Sequence, residues 1–355
     1  MSIKIYQGNC LDTLKKIESQ SINTCITSPP YWGLRDYGTA EWEGGDKSCD
    51  HQGEIMRKHH ISDNKEKPRE FFKNLCGKCG AVRKDNQLGL EETPEEFVNN
   101  LVEVFREVKR VLRDDGTVWL NLGDSYSSGG RTTTTNQSLR GDKNYGVTRP
   151  KPSKGIKPKD LIGIPWRVAF ALQSDGWYLR QDIIWHKPNP MPESVKDRCT
   201  KAHEYIFLLS KSPKYYFDNE AIKEKAVGER WGGNSPINTE KSKDMDNQFS
   251  GLTRERKMLY ENRNKRSVWT VTTKPFKGAH FATFPPDLIK PCVLAGCPEG
   301  GTVLDPFGGS GTTALLANGH NRNAILCELN EEYIEIAKER LAPDGDLFTD
   351  IEVIT

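Results

Sequence analysis

Residues 302–313 read Thr-Val-Leu-Asp-Pro-Phe-Gly-Gly-Ser-Gly-Thr-Thr, an apolar strand followed by a glycine-rich turn and the start of a helix predicted over 312–318. A further strand is predicted over 324–327 and a further helix over 331–341. Alternating strands and helices are typical of parallel α/β sheets. Such sheets bind nucleotides at this kind of turn, because glycines let a ligand approach the backbone and the helix begins with free N–H groups. The stretch therefore predicts an α/β fold with a cofactor site at the turn.

Three kinds of nucleotide compete for this turn. A phosphate loop for ATP or GTP needs a lysine after its last glycine, whereas Thr312 stands there. The pattern Gly309-x-Gly311-x-x-Ala314 fits a dinucleotide, and Glu328 is placed for ribose hydroxyls, so a nicotinamide or flavin cofactor stays open. S-adenosylmethionine fits the same geometry. Asp305 favours it, because a carboxylate in a solvent-facing turn can pair with the methionine ammonium but would repel a pyrophosphate.

The same alternation extends through most of the chain. Thr93 suits an N-cap and Pro94 a first helical turn, which predicts a helix over 93–112 that stops at 114–116. The other predicted elements are strands over 3–6, 24–27, 117–122, 179–185 and 205–209 and helices over 11–17 and 164–172. Polar segments without sustained periodicity interrupt them at 40–90, 127–160 and 218–266.

A second motif, Ser28-Pro-Pro-Tyr31, follows the strand predicted over 24–27. Because proline has no N–H, this strand end presents carbonyl groups without neighbouring donors. The Ser28 hydroxyl and the Pro29 carbonyl can accept the two protons of an exocyclic amino group, and Tyr31 offers a face on which a planar base can stack. Taken alone, such a turn is more often structural. Together with the glycine-rich turn it predicts a site for a nucleotide base.

The two motifs together resemble those of a known enzyme family. Ser28–Tyr31 is similar to the catalytic motif of DNA amino-methyltransferases, which methylate cytosine N4 or adenine N6, and 305–311 is similar to their S-adenosylmethionine motif. The catalytic motif comes first, as in the beta class. The resemblance extends through 118–126, 182–193, 203–212 and 280–286. It implies a permuted Rossmann-like methyltransferase fold: a mostly parallel seven-stranded sheet with the strand over 3–6 beside the cofactor half.

The resemblance also implies an activity and its residues. The enzyme would transfer a methyl group from S-adenosylmethionine to the exocyclic amino group of a base flipped out of double-stranded DNA. Ser28 is more typical of cytosine N4 enzymes and aspartate of adenine N6 enzymes, so cytosine is favoured and adenine stays open. The implied catalytic residues are Ser28, Pro29, Pro30 and Tyr31. The implied cofactor-binding residues are Asn9, where the family often has aspartate, Thr283, Phe284, Asp305, Phe307, Gly309, Gly311 and Glu328. Implied partners are a cognate restriction endonuclease and a second copy of the chain.

Two further residues near these motifs have competing interpretations. Asp124 ends a predicted strand at the face where α/β sites form, so it either lines the base pocket or caps a helix. His186, in a Trp-His-Lys-Pro motif, has either a role near the target base or a surface role.

A third signal suggests a metal. Cys49-x-His51 and Cys76-x-x-Cys79 are two chelating pairs in a polar insertion with few apolar side chains, which predicts a structural zinc. His59 and His60 are rival ligands to His51, and two free thiols are the alternative. The remaining six cysteines are expected to be buried or incidental: Cys10, Cys25, Cys199, Cys292, Cys297 and Cys327.

Composition excludes several classes of protein. The 355-residue chain is 35% hydrophobic and 28% charged, which disfavours disorder throughout, and it has no apolar run of the roughly 18–20 residues that a membrane span needs. Nine cysteines with one close pair are not typical of a secreted disulfide framework. We therefore expect a cytoplasmic protein, and the resemblance implies a bacterial or phage-infected cell.

The net charge of +2 requires that any DNA-binding surface be local. Residues 131–160 contain eight Lys or Arg and two Asp, which suits a phosphate-contacting loop as well as a solvated one. The predicted division is a catalytic half (1–39 and 91–217), a zinc-binding insertion (40–90), a target-recognition insertion (218–266) and a cofactor-binding half (267–355). A non-catalytic zinc-containing DNA-binding protein would leave both motifs unexplained, and a nicotinamide oxidoreductase would leave the Pro-Pro motif unexplained.

Overall fold

The computed structural model describes residues 1–33, 41–46, 48–51, 54–55, 70–71, 75–84, 87–127, 156–226, 262–273, 284–342 and 350–355. The strands are β1 (Ser2–Gln7), β2 (Ile22–Thr27), β3 (Glu41–Glu43), β4 (Glu54–Ile55), β5 (Glu70–Phe71), β6 (Val82–Lys84), β7 (Leu112–Leu122), β8 (Tyr178–His186), β9 (His203–Ser210), β10 (Glu224–Lys225), β11 (Asn262–Arg263), β12 (Val268–Thr270), β13 (Thr302–Asp305), β14 (Asn323–Glu328) and β15 (Asp350–Ile354). The helices are α1 (Cys10–Lys15), α2 (Pro94–Val111), α3 (Ile164–Ser174), α4 (Pro286–Gly296), α5 (Thr312–Asn318) and α6 (Glu331–Leu341), with a 3₁₀ turn at Glu220–Ile222.

One mixed sheet organises the molecule. Its strand order is β12-β8-β9-β7-β2-β13-β14-β1-β15. Within this sheet β9 runs antiparallel to β7 and β8, and the other neighbouring strands pair in parallel. The predicted mostly parallel α/β sheet is confirmed, but it has nine strands rather than seven, because the short strands β12 and β15 extend its two edges. The parallel strands end at one edge of the sheet, which we call the carboxyl edge.

The permuted strand order is also present. β1 pairs in parallel with β14, with Ile3 opposite Ala324 and Gln7 opposite Glu328, and with β15 on its other side. The beginning of the chain therefore completes the half of the sheet that holds the glycine-rich turn.

The boundary between α2 and β7 differs from the prediction. Thr93 caps α2 in a capping box with Glu96, as expected, but β7 begins at Leu112 and runs through the predicted stop at 114–116. Ile22 pairs with Leu112 and Thr24 with Thr117, so one residue of β2 faces four of β7. The polar segment 114–116 forms a bulge within β7. Turn-forming residues are found in bulges and in loops, so composition alone does not separate the two.

Apolar side chains cover both faces of the sheet. On one face α1, α2 and α3 pack around Leu14, Phe97, Phe105 and Leu172. On the other, α4, α5 and α6 pack around Val293, Ala314 and Ile334. In the described part of the chain no helix combines the length and apolar character needed to cross a membrane.

Candidate functional site

The side chain of Asp305 joins the ends of β2 and β13 at the carboxyl edge. The Thr27 hydroxyl donates a 2.6 Å hydrogen bond to Oδ1, and the Phe307 amide donates one of 3.1 Å to the same oxygen. The Thr313 hydroxyl donates a 2.7 Å bond to Oδ2. The prediction of a solvent-facing carboxylate is wrong: the residue is 1% exposed, because the helix after the turn and the end of β2 enclose it.

This burial changes the acidity of Asp305. Desolvation of the carboxylate raises its pKa from 3.8 to about 7, although the hydrogen bonds from Thr27, Thr313 and the Phe307 amide favour the ionised form. The nearby Glu328 raises the Asp305 pKa further. The carboxyl group thus exchanges its proton near neutral pH and responds to any charge placed above the turn.

The glycine-rich turn is held from two sides. Oε2 of Glu328, at the end of β14, accepts a 2.7 Å hydrogen bond from the Gly309 amide, and Oε1 accepts one of 2.8 Å from the Asn330 amide. Gly311 has a φ of +75° at the N-cap of α5, and an added Cβ would lie 3.1 Å from the Cβ of Ala337. A side chain at position 311 would therefore be strained and crowded.

The remaining predicted cofactor residues fall at two places. Asn9 follows β1 beside Glu328, whose carbonyl accepts a 2.9 Å hydrogen bond from Gly8, and the Asn9 side-chain oxygen caps α1 by accepting from Leu11 at 2.9 Å. Phe307 packs on the core beneath α1 and α2, and Phe284 packs on the opposite core just before α4. Thr283 lies outside the described residues.

The motif Ser28–Tyr31 follows β2, next to β13 in the sheet, so the two motifs share the carboxyl edge. Pro29 is buried, and Ser28, Pro30 and Tyr31 are half-buried. The ring of Tyr31 packs against Gly123, where an added Cβ would lie 2.4 Å from Cε2 of the ring. Only glycine leaves room for the ring at position 123.

A polar network holds the Tyr31 hydroxyl. It donates a 2.7 Å hydrogen bond to Oε2 of Glu204 and lies 3.2 Å from Oδ1 of Asn121. The other Glu204 oxygen pairs with Lys187, and the Asn121 amide donates to the Tyr205 carbonyl at 3.0 Å. Sequence reasoning missed Glu204. Its one signal was a carboxylate at the start of an otherwise apolar strand.

Asp124 and His186, for which the sequence leaves two interpretations open, both contact neighbouring elements of the fold. Oδ1 of Asp124 accepts hydrogen bonds from the Gly163 and Ile164 amides at 2.9 and 3.1 Å, so this residue caps α3. His186 is exposed, and its Nδ1 lies 3.2 Å from the Thr270 hydroxyl oxygen.

The four predicted metal ligands lie together. The ligand atoms of Cys49, His51, Cys76 and Cys79 are all within 4.8 Å of one another. Cys49 Sγ is 3.8 Å from Cys76 Sγ, and Cys79 Sγ is 3.5 Å from His51 Nδ1. A tetrahedral zinc with Zn–S bonds of about 2.3 Å requires sulfurs about 3.8 Å apart, so the donor set fits this ion. A hydrogen bond from His51 lowers the pKa of Cys76, which favours the thiolate.

Short strands and one ring contact shape this cluster. β3 pairs with β6 antiparallel, and Trp42 of β3 stacks on His51 with ring centroids 4.7 Å apart. Cys76 donates its amide to the Ala81 carbonyl at 2.8 Å, and Gly80 donates to the Cys76 carbonyl at 2.9 Å. His59 and His60 lie outside the described residues, as do 128–155 of the basic loop and 227–261 of the predicted recognition insertion. Of the other six cysteines, Cys199 is exposed and the rest are buried, as predicted.

The insertion that carries this cluster returns to the catalytic motif. The Gly33 amide donates a 2.8 Å hydrogen bond to the Gly89 carbonyl, and the Trp32 indole donates one of 2.9 Å to the Glu91 carbonyl. Farther along the chain, a β-bridge between Tyr126 and Leu161 closes the second interruption in the same way. Both interruptions leave the described sheet through short hydrogen-bonded stems.

Comparison with known proteins places this site in a family. The family model described as DNA methylase, which covers N6 and N4 methyltransferases, matches residues 22–339. The chain belongs to this family. It is a DNA amino-methyltransferase, as the two motifs predicted.

Two curated relatives match nearly the whole chain. The type II methyltransferase M.Cfr9I of Citrobacter freundii is 43% identical over 95% of this chain and 87% of its own length. The type II methyltransferase M.SmaI of Serratia marcescens is 43% identical over 96% of this chain and 91% of its own length.

Solved structures of the family share the fold. The PvuII DNA methyltransferase, a cytosine-N4-specific enzyme, aligns with a TM-score of 0.56 at 17% identity, covering 98% of this chain and 89% of that one. A putative DNA modification methylase of Thermus thermophilus, complexed with S-adenosyl-L-methionine, aligns with a TM-score of 0.53 at 20% identity, covering 99% of this chain and all of that one.

Proposed function

We propose that this DNA amino-methyltransferase transfers a methyl group from S-adenosylmethionine to N4 of a cytosine flipped out of duplex DNA. The observation that carries the proposal is the hydrogen bond between Thr27 and Asp305, which sets the base motif directly beside the glycine-rich turn. S-adenosylmethionine supplies an electrophilic methyl group when bound. The residues proposed to bind it are Asn9, Thr283, Phe284, Asp305, Phe307, Gly309, Gly311 and Glu328.

The base is proposed to bind at Ser28–Tyr31. The Ser28 hydroxyl and the Pro29 carbonyl accept the two amino protons, Pro30 keeps the chain extended, and the Tyr31 ring stacks on the base. This arrangement directs the nitrogen lone pair towards the methyl group, so positioning supplies much of the rate. The C–S bond of the sulfonium would break as the C–N bond forms, leaving S-adenosylhomocysteine, and the methylated nitrogen would then lose its acidic proton to solvent. A strong general base is therefore not required.

Buried Asp305 acts on the cofactor through its charge. Its oxygens accept bonds from Thr27, Thr313 and Phe307, which fixes the turn, and its ionised form attracts the positive methionine end of the cofactor. Glu328 fixes the other side of the turn through Gly309.

Cytosine is proposed over adenine because serine begins the catalytic motif. DNA from cells that express the protein is digested to nucleosides and analysed by mass spectrometry. We expect N4-methylcytosine, absent with the Ser28→Ala variant. N6-methyladenine would overturn the choice of base, and the absence of both products would overturn the proposed activity.

The relatives called type II methyltransferases support a role in restriction-modification. We propose that methylation protects DNA from a cognate endonuclease, and that two copies of the chain associate. DNA from expressing cells should resist an endonuclease that cuts the mapped site, and light scattering should give twice the chain mass. Cleavage of this DNA would overturn the protective role, and the mass of a single chain would overturn the association of two copies.

A structural zinc is proposed at Cys49, His51, Cys76 and Cys79. The support is the donor set and the 3.8 Å spacing of Cys49 and Cys76, which matches ligands on one tetrahedral ion. The proposed division of the chain follows: the zinc-binding insertion at 40–90, target recognition at 218–266, and catalytic and cofactor halves around them. Elemental analysis should give one zinc per chain, and a Cys76→Ser/Cys79→Ser variant should give well under one.

A further inference from the structure

We propose that Glu204 is a positioning residue that holds the ring of Tyr31 in the orientation in which it receives the flipped base. This inference rests on the proposed function, because it takes Tyr31 as the stacking partner of that base. Its basis is the 2.7 Å hydrogen bond from the Tyr31 hydroxyl to Oε2 of Glu204. Neither the motif around Tyr31 nor the cofactor turn includes this carboxylate.

The Tyr31 ring is fixed at two points. Gly123 packs so closely on the ring that an added Cβ would lie 2.4 Å from Cε2. The hydroxyl, at the far end of the ring, is fixed by Glu204 and lies 3.2 Å from Asn121. The contact with Gly123 restrains the face of the ring, and the bond to Glu204 restrains its far end against rotation about the first torsion angle.

Glu204 is itself held firmly. It lies on β9 opposite Trp185 of β8, in the part of the antiparallel ladder that pairs without a register shift from Gln181 to His186. Its second oxygen pairs with Lys187, whose Nζ lies 4.1 Å from the centroid of the Trp185 ring. The side chains of Glu204 and Lys187 are 16% and 18% exposed, so solvent screens their interaction only weakly. A hydrogen bond to such a carboxylate is stronger than one between neutral groups.

The consequence concerns the rate of methyl transfer. A ring held in its stacking orientation before DNA arrives needs no further ordering when the base enters. A ring that swings would let the base occupy several positions, and misplacement of the nitrogen slows transfer. The cofactor turn does not contact Glu204 in the described structure, so the affinity for S-adenosylmethionine should not change. A merely structural role of Glu204 would instead lower stability without a specific dependence on the Tyr31 hydroxyl.

The test is a double-mutant cycle of Tyr31→Phe, Glu204→Gln and the double variant, measured as single-turnover methyl transfer with saturating cofactor and DNA. The substrate is a duplex carrying the site mapped by sequencing DNA from expressing cells. We expect Tyr31→Phe, which removes the hydroxyl, to slow transfer about tenfold, equivalent to about 1.4 kcal/mol. Glu204→Gln keeps an amide oxygen that can accept from Tyr31 but removes the charge that strengthens the bond, so its loss of rate should be smaller. The double variant should be no slower than Tyr31→Phe, because the Glu204 substitution acts through a bond that Tyr31→Phe already lacks.

A second readout follows the base itself. In a duplex with 2-aminopurine at the target position, stacking on an aromatic ring quenches the fluorescence. We expect higher fluorescence with Tyr31→Phe and Glu204→Gln than with the unaltered protein, at equal DNA occupancy. Glu95→Gln, which removes an exposed carboxylate paired with Arg167, is the matched control and should leave rate and fluorescence unchanged.

The outcomes separate this inference from the function on which it rests. Calorimetry with S-adenosylmethionine and thermal unfolding establish that each variant is folded. Suppose that Tyr31→Ala is inactive. The positioning role is then overturned if the rate losses of the two single variants multiply in the double variant, or if Tyr31→Phe is fully active. Full activity of Tyr31→Ala would overturn the proposed base site itself.

Discussion

The hydroxyl of Thr27 and the carboxylate of Asp305 are joined by a 2.6 Å hydrogen bond across 278 residues of sequence. The bond is buried and connects the strand that leads to Ser28 with the strand that leads to the cofactor turn. The relative position of the two motifs is therefore set by adjacent strands of one sheet.

Affinity for S-adenosylmethionine should rise with pH between about 6 and 8. The carboxyl of Asp305 has a pKa of about 7, and a cationic ligand favours its ionised form, so binding should release a proton. Calorimetry in buffers of different ionisation enthalpy measures this release. Asp305→Asn should weaken binding and abolish the proton release. Asp114→Asn, at an exposed position of β7, should keep the affinity and the proton release of the unaltered protein. Identical pH profiles for Asp305→Asn and the unaltered protein would contradict the assignment.

The stability of the ligand-free protein should fall as pH rises from about 4 to 7. The folded-state pKa of Asp305 is above its unfolded value, so the folded state holds the proton more tightly and loses this advantage as pH passes through about 7. A shift of the pKa from 3.8 to about 7 corresponds to a change of at most about 4 kcal/mol in the free energy of unfolding. In thermal unfolding experiments, the stability of the Asp305→Asn variant should not show this decline with pH. An equal decline in both proteins would show that other groups cause it.

Ser28→Ala should lose methyl transfer and keep cofactor affinity. The substitution removes an acceptor for the amino group, while the hydrogen bond from Thr27 to Asp305 that fixes the turn remains. Radiolabelled methyl transfer and calorimetry measure the two properties separately. Lost cofactor binding with residual turnover would reverse the assigned roles.

Gly123→Ala should slow methyl transfer by at least tenfold. Its added Cβ would meet Cε2 of Tyr31 at 2.4 Å, so the ring must move. Cofactor affinity should be unchanged, since Gly123 follows β7 whereas the glycine-rich turn follows β13. Gly319→Ala is the control, because its Cβ would meet only the carbonyl oxygens of Leu315 and Leu316, at 3.3 and 3.9 Å. Normal transfer by Gly123→Ala would mean that the Tyr31 position is not critical.

Removal of zinc should abolish methyl transfer but leave cofactor affinity nearly unchanged. The insertion's stem accepts hydrogen bonds from Trp32 and Gly33, directly after Tyr31, whereas the cofactor turn is held by Thr27, Thr313 and Glu328, none of which lies in the insertion. Chelator treatment, followed by activity and calorimetry, tests this, with Cys199→Ser as a cysteine control outside the cluster. Full activity after complete metal loss would contradict the proposed coupling.

The glycine-rich turn shows how much of this site is local in sequence. Its strand, turn and helix were predicted within one residue, because each depends on neighbours in the chain. The burial of Asp305 was not predictable in the same way, since it depends on Thr27 and Thr313 closing over the carboxylate.

Glu204 illustrates the same limit more strongly. Its contact with Tyr31 needs β9 to run antiparallel, so that the beginning of this strand meets the ends of its neighbours. A sequence pattern predicts that 203–210 is a strand but does not give its direction. The edge strands β12 and β15 were missed because each is short and has exposed residues.

The stem at Gly33 and Gly89 has a consequence for how such enzymes diversify. A hydrogen bond closes the interruption at its base, and the entropic cost of closing a loop grows only logarithmically with the length of chain in it. Residues 34–88 could therefore be exchanged as a cassette between homologues by recombination at the stem, with the sheet inherited intact. Chimeras with junctions at Gly33 and Gly89 should fold, whereas junctions inside β2 or α2 would cut through the core.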